Sequence, residues 1–256
     1  MNWKSFTAML ARDSHVARRN FVPLLIQTLL QPMLLVFVFG RIMTQSGLMQ
    51  SAYKSMLLPG VIAISMVLSG VQAVALPLIT EFQFTKEIED RLLAPMGIAW
   101  LAVEKVIAGM IQALVSGLVV LPAAWLLLGR GVEIHMSRPL VFAGICLLVS
   151  MFASSGGLTL GCSVGQTQIG LMFSMILAPM MFFGCAYYPW SALATFPILK
   201  WAVLINPLVY ASEGFRGALV PQFPHIPMTV IFEALTVVNI LLMWVGMRQF
   251  QRKAIG

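Results

Sequence analysis

Residues 139–199 run for 61 positions without an Asp, Glu, Lys or Arg. A helix needs about 20 apolar residues to cross about 30 Å of hydrocarbon. The run therefore has room for two membrane crossings and a turn. Its one polar interruption, Gly-Cys-Ser-Val-Gly-Gln-Thr-Gln at 161–168, is the natural place for that turn. Within lipid every backbone polar group must be satisfied inside the chain, so crossings of this length are helical.

Further runs repeat the pattern. Residues 20–40, 55–80 and 106–129 are free of charge, and residues 226–247 carry only Glu233. Across all 256 residues, 59% are hydrophobic and 10% charged, against about 25% charged in soluble domains. A water-soluble fold of this size cannot hide so much apolar surface. The sequence predicts an all-α integral membrane protein with six transmembrane helices at 21–41, 55–80, 106–129, 139–161, 168–189 and 226–247. Residues 1–20 are not expected to be a cleavable leader: the apolar run that follows is long enough to span, and no small-residue cleavage site comes after it. This first run reads as a retained anchor.

Orientation follows from Lys and Arg in the short flanks. With the N-terminus inside, the inner side holds Lys4, Arg12, Arg18, Arg19, Lys86, Arg91, Lys105, Arg248, Arg252 and Lys253. The outer side holds Arg41, Lys54, Arg130, Arg138, Lys200 and Arg216. Ten against six favours both termini on the cytoplasmic side of the inner membrane. Residues 1–20 place Trp3, Phe6, Met9 and Leu10 beside Arg12, Arg18 and Arg19, as in a helix lying on the inner lipid surface. The net charge of +7 is scattered beside apolar runs, which fits topology and argues against nucleic acid as a partner. Cys146, Cys162 and Cys185 lie in apolar runs and read as small buried hydrophobes. His15, His135 and His225 are too far apart in sequence to suggest a metal site. No catalytic constellation stands out.

Two connecting segments break the rhythm. Residues 81–105, EFQFTKEIEDRLLAPMGIAWLAVEK, pack Glu81, Lys86, Glu87, Glu89, Asp90 and Arg91 ahead of Leu92-Leu93 and a Pro95 stop. A helix over 85–94 puts Ile88 and Leu92 on one face and Lys86, Glu89 and Asp90 largely on others. Such a helix either docks in a partner's groove or simply caps two spans. Residues 189–219 are apolar but broken by Pro189, Pro197 and Pro207 into pieces too short to cross. They read as short re-entrant helices (190–219), bent at Asn206-Pro207, with Tyr210 following and Glu213 and Arg216 paired at i, i+3.

Polar groups within spans need a reason. Gln27 and Gln31 in the first span, Gln72 in the second and Gln112 in the third either bond across helices or line a solute path. Met172 and Met175 either pack in the core or soften an apolar route. Glu233 either reaches the outer interface or, if buried, is protonated or paired with a cation such as Arg216 or Lys200. Gly157, Gly161 and Gly165 form a smooth stripe for close packing, within the chain or between subunits.

The segment Asp90-Arg91-Leu92-Leu93-Ala94-Pro95 resembles the coupling helix of the ABC type-2 permease family. Tyr187-Tyr188-Pro189, then Asn206-Pro207-Leu208-Val209-Tyr210 leading to Glu213 and Arg216, is similar to that family's C-terminal signature. The family's frequent glycine before the acidic-x-Leu-Leu element is absent; Glu87-Ile88 stands near there. The resemblance covers essentially the whole chain and implies a permease subunit of an ATP-driven exporter. It further implies a second permease subunit and two cytoplasmic ATPase subunits, with residues 86–93 as the docking element; residues 206–216, on their own broken pattern, read as an outer gate. The chain holds no G-x-x-x-x-G-K-[ST] loop. It is therefore expected to bind no cofactor itself, with ATP and Mg held by the partner. Few charged groups in the spans point to an amphipathic or lipid-like cargo. A stand-alone carrier or channel is the alternative, but neither internal repeats nor a charged pathway supports it.

Overall fold

The computed structural model describes residues 32–48, 52–82, 97–128 and 138–255, with Thr7, Ile26, Leu30 and Gln50 as single positions. Among these residues every regular element is helical. The helices are α1 (Pro32–Gln45), α2 (Tyr53–Thr80), α3 (Ile98–Leu128), α4 (Pro139–Ser163) and α5 (Ile169–Phe182). A 3₁₀ turn over Trp190–Thr195 follows, then α6 (Pro197–Ala202), α7 (Pro207–Leu219) and α8 (Met228–Ile255). Helices α2, α3, α4 and α8 are long and apolar enough to cross a membrane, while α1 and α5 are shorter apolar helices. Both short helices contain π-helical stretches, Val36–Ile42 in α1 and Met172–Leu177 in α5.

Helix α2 is the central post, buried from Leu57 through Gln72 without a break. It packs against α1, α3, α4 and α7. Close approach to α4 depends on the glycine stripe. A Cβ on Gly157 would lie 2.8 Å from the Val71 carbonyl oxygen, and one on Gly161 would lie 3.0 Å from Ala75 Cα. Real Cβ atoms hardly reach such distances, so a side chain at either position would push α2 and α4 apart. Of the two readings of the stripe, packing within the chain is the one observed for these two glycines.

The bundle has two ends. At the first, Lys105 near the start of α3 pairs with Glu81 after α2, and Lys253 near the end of α8 reaches the Cys162 carbonyl at the end of α4. At the second, Leu128 at the end of α3 lies beside Gly40 of α1. There too Tyr53, the first residue of α2, donates to the Tyr187 carbonyl at 2.7 Å.

Three boundaries differ by seven or eight residues from those read in the sequence. Helix α3 begins at Ile98 rather than at 106, so Glu104 and Lys105 are buried helix residues and not a flank. Lys105 tolerates this because Glu81 neutralises it across the intervening loop. Helix α8 continues to Ile255 rather than stopping at 247, because Phe250 has an apolar seat on the bundle. Helix α5 ends at Phe182 rather than near 189; there the chain turns through Cys185, whose φ of 51° is left-handed. The expected surface helix at 1–20, apart from Thr7, lies outside the described residues, as do Gln27, Gln31 and the docking segment 86–93.

Candidate functional site

Among the described residues, the densest polar arrangement is built around α7, at the second end of the bundle. The helix starts where the sequence dictates. Asn206 is extended, and its Oδ1 accepts from the Leu208 amide at 3.0 Å, capping the first turn. Pro207 occupies the first helical position, where its missing N–H is no loss. The same asparagine donates from Nδ2 to the Met180 carbonyl at 2.7 Å, tying the start of α7 to the end of α5. Tyr210 donates to the Leu204 carbonyl at 3.0 Å and closes the bend from the other side.

Two turns further on, Glu213 and Arg216 are wholly buried and form an ion pair through Glu213 Oε1 and Arg216 Nη1. The carboxylate also accepts from the Trp190 amide at 2.9 Å and the Ile226 amide at 3.1 Å. Arg216 Nη2 donates to the Cys185 carbonyl at 3.0 Å. One pair thus gathers four segments: the turn after α5, the start of the 3₁₀ helix, α7, and the approach to α8. The left-handed backbone at Cys185 aims its carbonyl at the guanidinium, and a non-glycine residue in that region is strained. A buried pair survives only when its remaining hydrogen-bonding capacity is largely met. Here the carboxylate has three donors, while Arg216 Nε is left without a partner.

The segment ahead of α7 is held outward of this knot. Trp190 Nε1 donates to the Lys200 carbonyl at 2.9 Å, and the Lys200 ammonium sits 4.4 Å from the Trp190 ring centroid. Phe196, Ile198, Trp201 and Ile205 are exposed around α6.

The other sequence candidates scatter. Gln72 is 6% exposed, with an Oε1 that has no hydrogen-bond partner, while Gln112 is half-buried on α3. Met172 and Met175 share one π-helical stretch but face opposite ways: Met172 is buried and Met175 is 71% exposed. Glu233 is exposed on α8 and takes part in neither of the two ion pairs among the described residues. Its suggested partner Arg216 is committed to Glu213, and Lys200 to Trp190. No group of three His, Cys, Asp or Glu residues suited to a metal occurs among the described residues.

The sequence reading missed the polar contacts of the first end. Lys105 Nζ and Glu81 Oε1 lie 2.7 Å apart, with side chains 5% and 10% exposed, and Glu104 is buried beside them in sequence. The signal was present as an acid and a base closing the two ends of one loop. Contacts between α4 and α8 were also missed: Asn239 to the Leu148 carbonyl at 3.0 Å, and Thr159 to the Leu242 carbonyl at 3.1 Å.

Comparison with known families matches the chain to "ABC-2 type transporter" over residues 4–220. No curated protein matches the chain.

Proposed function

Because the chain belongs to the ABC-2 type transporter family and forms the membrane-spanning part of such a transporter, we propose that it is the permease subunit of an ATP-driven exporter. Its cargo is amphipathic or lipid-like: a drug, a lipid or a lipid-linked glycan. Two copies, or this chain and a related one, enclose the route within the cytoplasmic membrane. Both termini face the cytoplasm, where two ABC ATPase subunits dock on the loop 81–105. ATP and Mg bind to those subunits, because this chain has no phosphate-binding loop of the P-loop kind.

The observation that carries the reading is the extent of the family match, which includes both the charged loop and the Asn206–Arg216 signature. In this account the ATPases draw together on binding ATP and move the segment at 86–93. The spans follow, and the cavity between permeases changes the side to which it opens. The knot on Glu213 and Arg216 makes the hairpin over 190–226 one rigid cap, so that it moves as a unit at the outer end of the route. Gln72, Gln112, Met172 and Met175 are candidates for the wall of that route, and Glu233 for its outer rim.

The test is to express the chain with and without a candidate ABC ATPase subunit, purify both, and assay ATP hydrolysis in lipid. The expected result is a stable complex whose hydrolysis responds to amphipathic compounds. A chain that binds no ATPase and transports alone would instead be the stand-alone carrier.

A further inference from the structure

Phe82, just beyond α2, is gripped by the last turns of α8. Phe250 is fully buried and meets the Phe82 ring edge-on, with centroids 5.7 Å apart and planes at 67°. Lys253 Nζ lies 5.0 Å from the Phe82 ring centroid and donates to the Cys162 carbonyl at 3.2 Å. That carbonyl belongs to the last turn of α4, where carbonyls lack helical partners and a cation is favoured. One residue before Phe82, Glu81 is fastened to Lys105 of α3.

Helix length says that this end serves more than spanning. At about 1.5 Å per residue, the 28 residues of α8 extend about 42 Å, beyond about 30 Å of hydrocarbon. The surplus turns carry Phe250 and Lys253 inward while Gln251 and Arg252 are exposed. A helix that only needed to cross would gain nothing from a buried aromatic and a pinned ammonium past its apolar stretch.

We propose that the last turns of α8 are a positioning strut for the loop after α2, in which Phe250 and Lys253 hold Phe82 against the end of α4. A partner pressing on the loop then moves α4 and α8 together with α2 and α3. The inference rests on the reading that this loop receives an ATPase, and it adds the residues that carry the push to the far half of the bundle.

The experiment uses the permease–ATPase complex in lipid vesicles, comparing wild type with Phe250→Ala, Lys253→Met and their combination. The combined variant should still retain the ATPase and hydrolyse ATP, while cargo moved per ATP falls about tenfold, the scale of one lost aromatic contact with its cation. Lys253→Arg, which keeps a cation able to reach the carbonyl, should restore most of the ratio. Amide exchange is read on the same samples: residues 78–82 and 158–163 should exchange faster in the combined variant, and residues 207–219 should not. An unchanged transport-to-hydrolysis ratio, or unchanged exchange at 78–82, overturns the strut. If wild type binds no ATPase, the docking reading fails and the exchange result alone decides whether Phe250 and Lys253 hold Phe82. If Phe250→Ala does not fold, Phe250→Leu and Lys253→Met decide it by the same two readings.

Discussion

Glu213 and Arg216 show how far a residue's role exceeds its local motif. Their spacing alone gives an exposed helical pair worth a few tenths of a kcal/mol. Burial changes the magnitude, because removing one partner strands a charge without water. Glu213→Ala and Arg216→Ala are each expected to lose about 3–5 kcal/mol of stability, read as thermal unfolding of the purified chain in micelles. Glu213→Ala should be the worse of the two, since it also orphans the Trp190 and Ile226 amides. Replacing both with Met should cost less than the sum of the single changes, as coupled sites do; an additive result would mean the pair is not a unit. The pair itself was legible in the sequence. Its partners were not: Cys185 and Trp190 lie 31 and 23 residues before the side chains that they contact, and no local pattern encodes a carbonyl's direction.

At the scale of elements, the glycine stripe and the helix ends carry the packing. Gly157→Leu should separate α4 from α2, because the new side chain would meet the Val71 carbonyl and Val74. The expected loss is about 1–3 kcal/mol, with much lower yield of folded protein, whereas the same change at Gly170, which has open space around it, should be tolerated. Equal yields for the two variants would show that α2 and α4 do not need the close approach. Element identity was readable from charge-free runs, since desolvation excludes charge from lipid-facing helix. Element ends are less readable for the same reason: a charge in the sequence reads as a boundary. Lys105 and Lys253 break that rule by finding an acid and a carbonyl. The π-helical stretches in α1 and α5 leave no mark in the residue pattern and were not anticipated.

For the whole molecule, the arrangement divides into a packed middle and two polar ends. The middle is α2 sheathed by α1, α3, α4 and α7, with α8 resting on α4 and largely exposed. One end is drawn together by Glu213 and Arg216, the other by Glu81, Lys105, Phe250 and Lys253. A transporter that works by rocking between states needs such a construction: rigid caps at both ends, and helices between them that tilt as units. In the proposed mechanism the cytoplasmic end receives force and the outer end gates the route. The central claim, that a separate ATPase drives this chain through the loop 81–105, is tested most directly by co-purification. The wild-type chain and a charge-reversed chain carrying Asp90→Arg and Arg91→Asp are each expressed with the candidate ABC ATPase subunit and isolated from the membrane. The account predicts that wild type brings the ATPase with it and that the reversed chain inserts equally well but arrives alone. Recovery of equal ATPase with both chains would contradict the docking role of that loop, and recovery with neither would contradict the partnership itself.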